Sequence, residues 1–114
     1  MTKGKLVLVP FPFDDLSGTK VRPAVCLINP IGSHRHVVLA FVASQVPQDR
    51  LETDVVLDAG LPDFGTTGLK VTSTLRPHRL MTAATSLVRR ELGELPESAR
   101  SEVGVKPRHL FDLA

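Results

Sequence analysis

From residue 64 to residue 90 the chain carries no Asp or Glu, yet Lys70, Arg76, Arg79, Arg89 and Arg90 all fall there, with His78 among them. Cations gathered in one stretch attract phosphates, and such contacts set affinity for a nucleic-acid backbone more than choice of sequence. The same residues also read as a solvated basic face offset by Glu91, Glu94, Glu97 and Glu102, and composition leaves the two readings level. His34 and His36 have the spacing of two imidazoles on one strand face, which a third ligand would turn into a metal site. No third ligand is visible, and histidines in a turn are ordinarily solvated. Asp14 and Asp15 could ligate a cation or act as an acid pair, but adjacent loop acids are mostly turn formers. The lone Cys26 cannot form an internal disulfide or a thiolate metal cage, and between Val25 and Leu27 it reads as a buried, inert thiol. Phosphate-binding Walker loops, dinucleotide fingerprints, HExxH and Gly-x-Ser-x-Gly are all missing from the sequence.

Whatever positions these groups must be small. The 114 residues (12.4 kDa) leave room for one domain, residues 1–114, and 42% hydrophobic with 23% charged residues is ordinary globular composition. A net charge of +2 and a pI near 9.0 favour a nucleic-acid partner only weakly. Uncharged stretches such as residues 23–33, which hold two prolines, fall well short of the roughly 20 residues that span a bilayer. The basic start, residues 1–5, is followed by a short apolar run broken by Pro10 and Pro12 and lacks a cleavage site, which reads as a cytosolic chain.

Short β-branched or apolar runs predict strands at residues 6–9, 23–28, 36–43, 53–58 and 69–75, and residues 86–92 read as a last strand or a short helix. In the 69–75 run the two-residue period would place Thr72 and Thr74 on one side and Val71, Ser73 and Leu75 on the other. Residues 14–20, dense in turn formers, predict a flexible loop between the first two strands, and residues 29–33 a turn. Pro96, with acids behind it, opens a helix over 96–103 that Gly104 and Pro107 should stop or kink; a second helical turn is expected over 107–113. These elements add up to a mainly β fold, a strongly curved antiparallel sheet or small barrel with a C-terminal helix.

The run from Gly4 to Leu27, with a strand, Pro10-Phe-Pro-Phe13, an Asp-Leu-Ser-Gly-x-Lys loop at 15–20 and then Arg22-Pro-Ala-Val25, strongly resembles the opening of the MazF/PemK family of type II toxin–antitoxin ribonucleases. Residues 38–45 resemble the family's third strand, 69–80 a later strand, and 87–96 the segment before the last helix. The resemblance implies an SH3-like barrel that dimerises and cleaves single-stranded RNA at a short sequence without a metal or other cofactor. It also implies a cognate antitoxin whose disordered acidic tail blocks the groove.

Attack by a neighbouring 2′-hydroxyl builds negative charge on a phosphorane, which a guanidinium can hold with two parallel hydrogen bonds. Arg22, at the start of a core strand and held extended by Pro23, is the candidate. The family's second residue is a hydroxyl two positions before the glutamine, and here that position is Ala43. Ser44 carries the nearest hydroxyl but on a flat strand would point to the opposite face; Ser73 is the other candidate. Gln45 could read a base edge, Lys20, Lys70 and Arg76 would contact phosphates, and Phe11 or Phe13 could stack on a base or serve as a buried hinge. Ala43 leaves open a second reading, a catalytically impaired RNA- or antitoxin-binding module of the same fold. A gyrase poison on a related fold would end in tryptophan, and this chain has none.

Overall fold

The computed structural model describes residues 2–12 and 15–112. The strands are β1 (Lys5–Pro12), β2 (Thr19–Cys26), β3 (His36–Ala43), β4 (Val55–Leu57), β5 (Ser73–Ala84) and β6 (Arg90–Glu94), and one helix, α1 (Glu97–Phe111), follows them. They form a six-stranded sheet in the order β4-β5-β3-β2-β1-β6, with every pair antiparallel. This is the expected curled sheet with a C-terminal helix.

Both faces of the sheet are buried, which is why the strands read as nearly continuous apolar runs. Leu6, Val25, Ala40, Val42, Val55, Leu57 and Leu75 face one way, where Leu95, Ala99 of α1 and Phe64 cover them. Val7, Val9, Ala24, Cys26, Val37 and Leu39 face the other way, with Phe11 and Ala83. Alternation along each strand deals successive side chains to the two cores.

β1 runs through Pro10 and Pro12 instead of stopping before them. The Arg89 N–H donates to the Leu8 carbonyl (2.8 Å), so even-numbered residues of β1 aim their backbone groups at β6. The β1–β6 pairing ends at Leu8, so two residues without an N–H cost no ladder bond beyond it. β2 begins four residues earlier than its apolar run because its first residues, Thr19 to Val21, are exposed and polar or singly apolar. In β5 the predicted alternation holds at its start: Ser73 stands opposite Leu57 and Leu75 opposite Val42, on the face that α1 covers, Thr74 stands opposite Ala43 on the other, and all three are buried between β3 and β4.

One helix passes through Gly104 and Pro107, where a stop or kink and then a second helical turn were expected. An interior proline costs about 3 kcal/mol in an isolated helix, and here α1 is held by contacts distant in sequence. Lys106 donates to the Asp54 carbonyl (2.8 Å) and pairs with Glu102 (3.1 Å), while Ala99 and Val103 pack on the sheet. At the N-terminus, Pro96 offers no side-chain cap, and Asp63 supplies one from across the fold, accepting from the Ser98 N–H (3.0 Å) and hydroxyl (2.9 Å). The expected end at residue 113 lies outside the described residues. Close approach of the segment before β5 to β6 requires glycine on both sides: a Cβ at Gly68, whose φ is +73°, would strike the Leu92 carbonyl, and one at Gly93 the Thr66 carbonyl.

The Ser98 backbone bond holds the Asp63 carboxyl below its usual pKa. A depressed carboxylate contributes stability above its unfolded value and loses it as pH falls through the folded one. Asp63→Ala should therefore lower Tm at neutral pH by a gap that narrows in acid, which thermal melts across a pH series will show.

No helix among the described residues is long and apolar enough to cross a membrane.

Candidate functional site

Pairing registers bring the predicted residues to one end of the sheet. Pro12 stands opposite Thr19, Ala43 opposite Thr74 and Leu57 opposite Ser73, so the C-terminal ends of β1, β3 and β4 meet the N-terminal ends of β2 and β5. Directly paired residues share a face. Arg22 pairs with Val9 and Lys20 with Phe11, which puts both cations on the face of the Val7–Val9–Phe11 core. The β2–β3 register, extended two residues past the Ala24–Phe41 pair, brings Arg22 level with Ala43 on that face. Arg22 is half-buried and Lys20 exposed.

Aromatic side chains floor the site beside them. Phe11 is 4% exposed, the buried hinge of the two roles open to it, and its ring lies 5.3 Å from that of Phe41. The Arg79 guanidinium sits 4.1 Å above the Phe41 centroid and 5.8 Å from that of Phe11. Phe13 and Asp14 lie outside the described residues. Asp15 accepts from the Ser17 N–H (3.0 Å) as a turn former does, and its contacts with Ser17 lower its pKa.

Ser44 and Gln45 follow β3 directly and are exposed, with the Gln45 carbonyl tied to the Thr74 hydroxyl (2.9 Å). Lys70 is exposed in the segment before β5, at the same end of the sheet. Two of the predicted RNA contacts are placed differently from the expectation. Ser73 is 2% exposed and its hydroxyl donates to the Val71 carbonyl (2.8 Å), which leaves that O–H no phosphate to reach. Arg76 stands opposite Phe41, but its Nε is paired to Asp54 Oδ1 (3.2 Å), a carboxylate with no exposed side-chain area that also accepts from the Leu51 N–H (2.9 Å). Arg76 thus neutralises a buried acid. The sequence singles out Arg79 only as one of a basic stretch and does not single out Asp54; an aspartate inside the apolar run 53–58 was the available sign that a cation had to be found for it.

Cys26 is fully buried as expected; its thiol donates to the Ile28 carbonyl (3.1 Å), and burial pushes its pKa up. His34 and His36 are exposed with ring centroids 5.8 Å apart, and among the described residues no group of three or more His, Cys, Asp or Glu is placed to hold a metal. A hollow of about 610 Å³ opens elsewhere, between Gly4, Leu27 and Asn29 and the Arg100–Gly104 stretch of α1, and contains none of the predicted site residues.

The face that carries Arg22 and Lys20 is basic, with the tilted Phe11–Phe41 pair beside it, a charge suited to a polyanion. The family model for PemK-like, MazF-like toxins of type II toxin–antitoxin systems matches residues 2–108. Comparison with curated protein sequences gives no match. Among solved structures, MazF from Deinococcus radiodurans superposes with a TM-score of 0.71 at 20% identity, covering 99% of this chain and 97% of that one. The Mycobacterium tuberculosis toxin MazF-mt6 gives 0.66 at 21%, covering 95% and 98%. An endoribonuclease from a mycobacterial species, in complex with its cognate antitoxin, gives 0.70 at 13%, covering 100% and 97%. At such identities the superpositions establish the fold, and the family model, spanning nearly every residue that builds this sheet and helix, establishes the kinship: the chain belongs to the PemK-like, MazF-like toxins of type II toxin–antitoxin systems.

Proposed function

We propose that the chain is the toxin of such a pair and acts as an endoribonuclease on single-stranded RNA, using Arg22 and no metal ion. The observation that carries this reading is the placement of Arg22, half-buried on the basic aromatic face and level with Ala43. In the proposed reaction the 2′-hydroxyl of one nucleotide attacks its own 3′-phosphate, the bond to the 5′-oxygen of the next nucleotide breaks, and a 2′,3′-cyclic phosphate and a 5′-hydroxyl result. Arg22 holds the non-bridging oxygens as their charge rises, a contribution that exists mainly in the transition state. Lys20, Lys70 and Gln45 hold the strand around it, and Ser44 supplies a hydroxyl at the margin of the site. The partners on this reading are RNA, a second copy of the chain, and an antitoxin whose acidic disordered segment competes for the same cations in the cytoplasm.

Ala43 favours a second reading, a binding module that holds RNA or antitoxin and cuts poorly. Both are separated by incubating the purified chain and Ala43→Thr with a mixed single-stranded RNA pool in EDTA. Discrete cuts with cyclic-phosphate ends are expected from the wild type, and about a tenfold faster rate from Ala43→Thr, the gain one added hydrogen bond to charge would bring. Binding without cuts in either protein would favour the module.

A further inference from the structure

We infer that Arg79, seated over the Phe41 ring, is the stacking surface for an unpaired RNA base beside the phosphate that Arg22 holds, and so sets base preference at one position of the cut site. The inference rests on the proposed RNA-binding face and adds a specificity residue to it.

The placement of Arg79 begins with an irregularity in β5. Ala40 of β3 pairs with Leu80, yet the next residue, Phe41, pairs with Arg76, so Pro77, His78 and Arg79 are extra residues on β5. Bulges of this kind re-aim side chains. Here the bulge returns the chain so that the Arg79 guanidinium lies 4.1 Å over the Phe41 ring, with Phe11 5.8 Å away. A guanidinium fixed on a ring gives up its rotamer freedom on folding, so a base that stacks on it has less to order when it binds.

Position selects the ligand. Phe41 pairs with Ala24, and Arg22 is the next residue of β2 on the same face. Diagonal neighbours across two strands lie about 7–8 Å apart, a span comparable to that from a backbone phosphate to the base of an adjoining nucleotide. A planar cation at that distance meets a base, and stacking uses the face of the guanidinium. A lysine could supply the same charge but no plane.

The test compares wild type with Arg79→Lys by fluorescence anisotropy, using a short single-stranded RNA rendered non-cleavable by 2′-O-methylation and a series of versions abasic at one position each. Wild type should lose about tenfold or more in affinity when the critical base is removed, as expected for a lost base stack. Arg79→Lys should bind the complete RNA about tenfold more weakly, match wild type on that one abasic RNA, and keep the same salt slope. The abasic RNA is thus an internal control for folding. Cut-end mapping should show base preference flattened at that position only. Equal binding of the complete RNA by the two proteins, or equal losses on complete and abasic RNA, would overturn the inference while the nuclease reading stands. If wild type binds RNA but does not cut it, the nuclease reading fails and the binding series still decides the role of Arg79. If wild type binds no RNA, both fall.

Discussion

Arg22→Ala is expected to slow RNA cleavage by about 10²–10³-fold, the usual consequence of removing one preorganised group that meets developing charge. The loss should fall on kcat more than on KM, since Lys20, Lys70 and Gln45 still hold the strand while the stabilisation of the phosphorane is gone. Arg22→Lys should recover only part of the rate, because one ammonium cannot hold two phosphate oxygens side by side. A urea melt of each variant separates this from misfolding. Unaltered cleavage in a folded Arg22→Ala protein would place the chemistry elsewhere.

The second large effect concerns stability. Asp54 has no exposed side-chain area, while Arg76 keeps 16%. Removing Arg76 leaves a carboxylate buried with one backbone donor, and removing Asp54 orphans both the Leu51 N–H and the guanidinium. Breaking a fully buried pair costs about 3–5 kcal/mol, and the partial exposure of Arg76 brings the expected loss here to about 2–4 kcal/mol, against a total stability of about 5–15 kcal/mol for a domain. Asp54→Ala and Arg76→Ala should each shift the urea midpoint accordingly, and the double variant should cost less than the sum of the two. If Arg76→Ala instead leaves the midpoint in place and lowers the salt slope of RNA binding by about one, Arg76 is a phosphate contact after all.

That pair also marks where the sequence stops being legible. Arg76 looked like a phosphate contact because its partner is 22 residues away, just before a strand of three residues. Ser73 looked like a second site hydroxyl because nothing local shows that β4 will cover it. Where a segment is buried on both faces the pattern was plain, and β3 is found at residues 36–43 as expected. Where a strand emerges into solvent, as the first half of β2 does, only the pairing partner makes it a strand. The second half of β5 was missed for a related reason: Pro77 and three basic residues break its apolar pattern, and the bulge that accommodates them is defined by β3. The helix ran past Gly104 and Pro107 because Asp54 and Asp63 hold it from other parts of the fold. The extended placement of Arg22 was legible because its neighbours in sequence, the turn-forming loop and Pro23, are also what place it.

The claim at the centre of this account is that the RNA's own 2′-hydroxyl is the nucleophile at the Arg22 face. It is tested most directly with an oligonucleotide carrying a single 2′-deoxy substitution on the 5′ side of the mapped cut. This oligonucleotide should bind like the parent and should not be cut at that bond, in EDTA as in magnesium. Cutting at the same bond and rate would mean that water attacks the phosphate directly, and would contradict that claim.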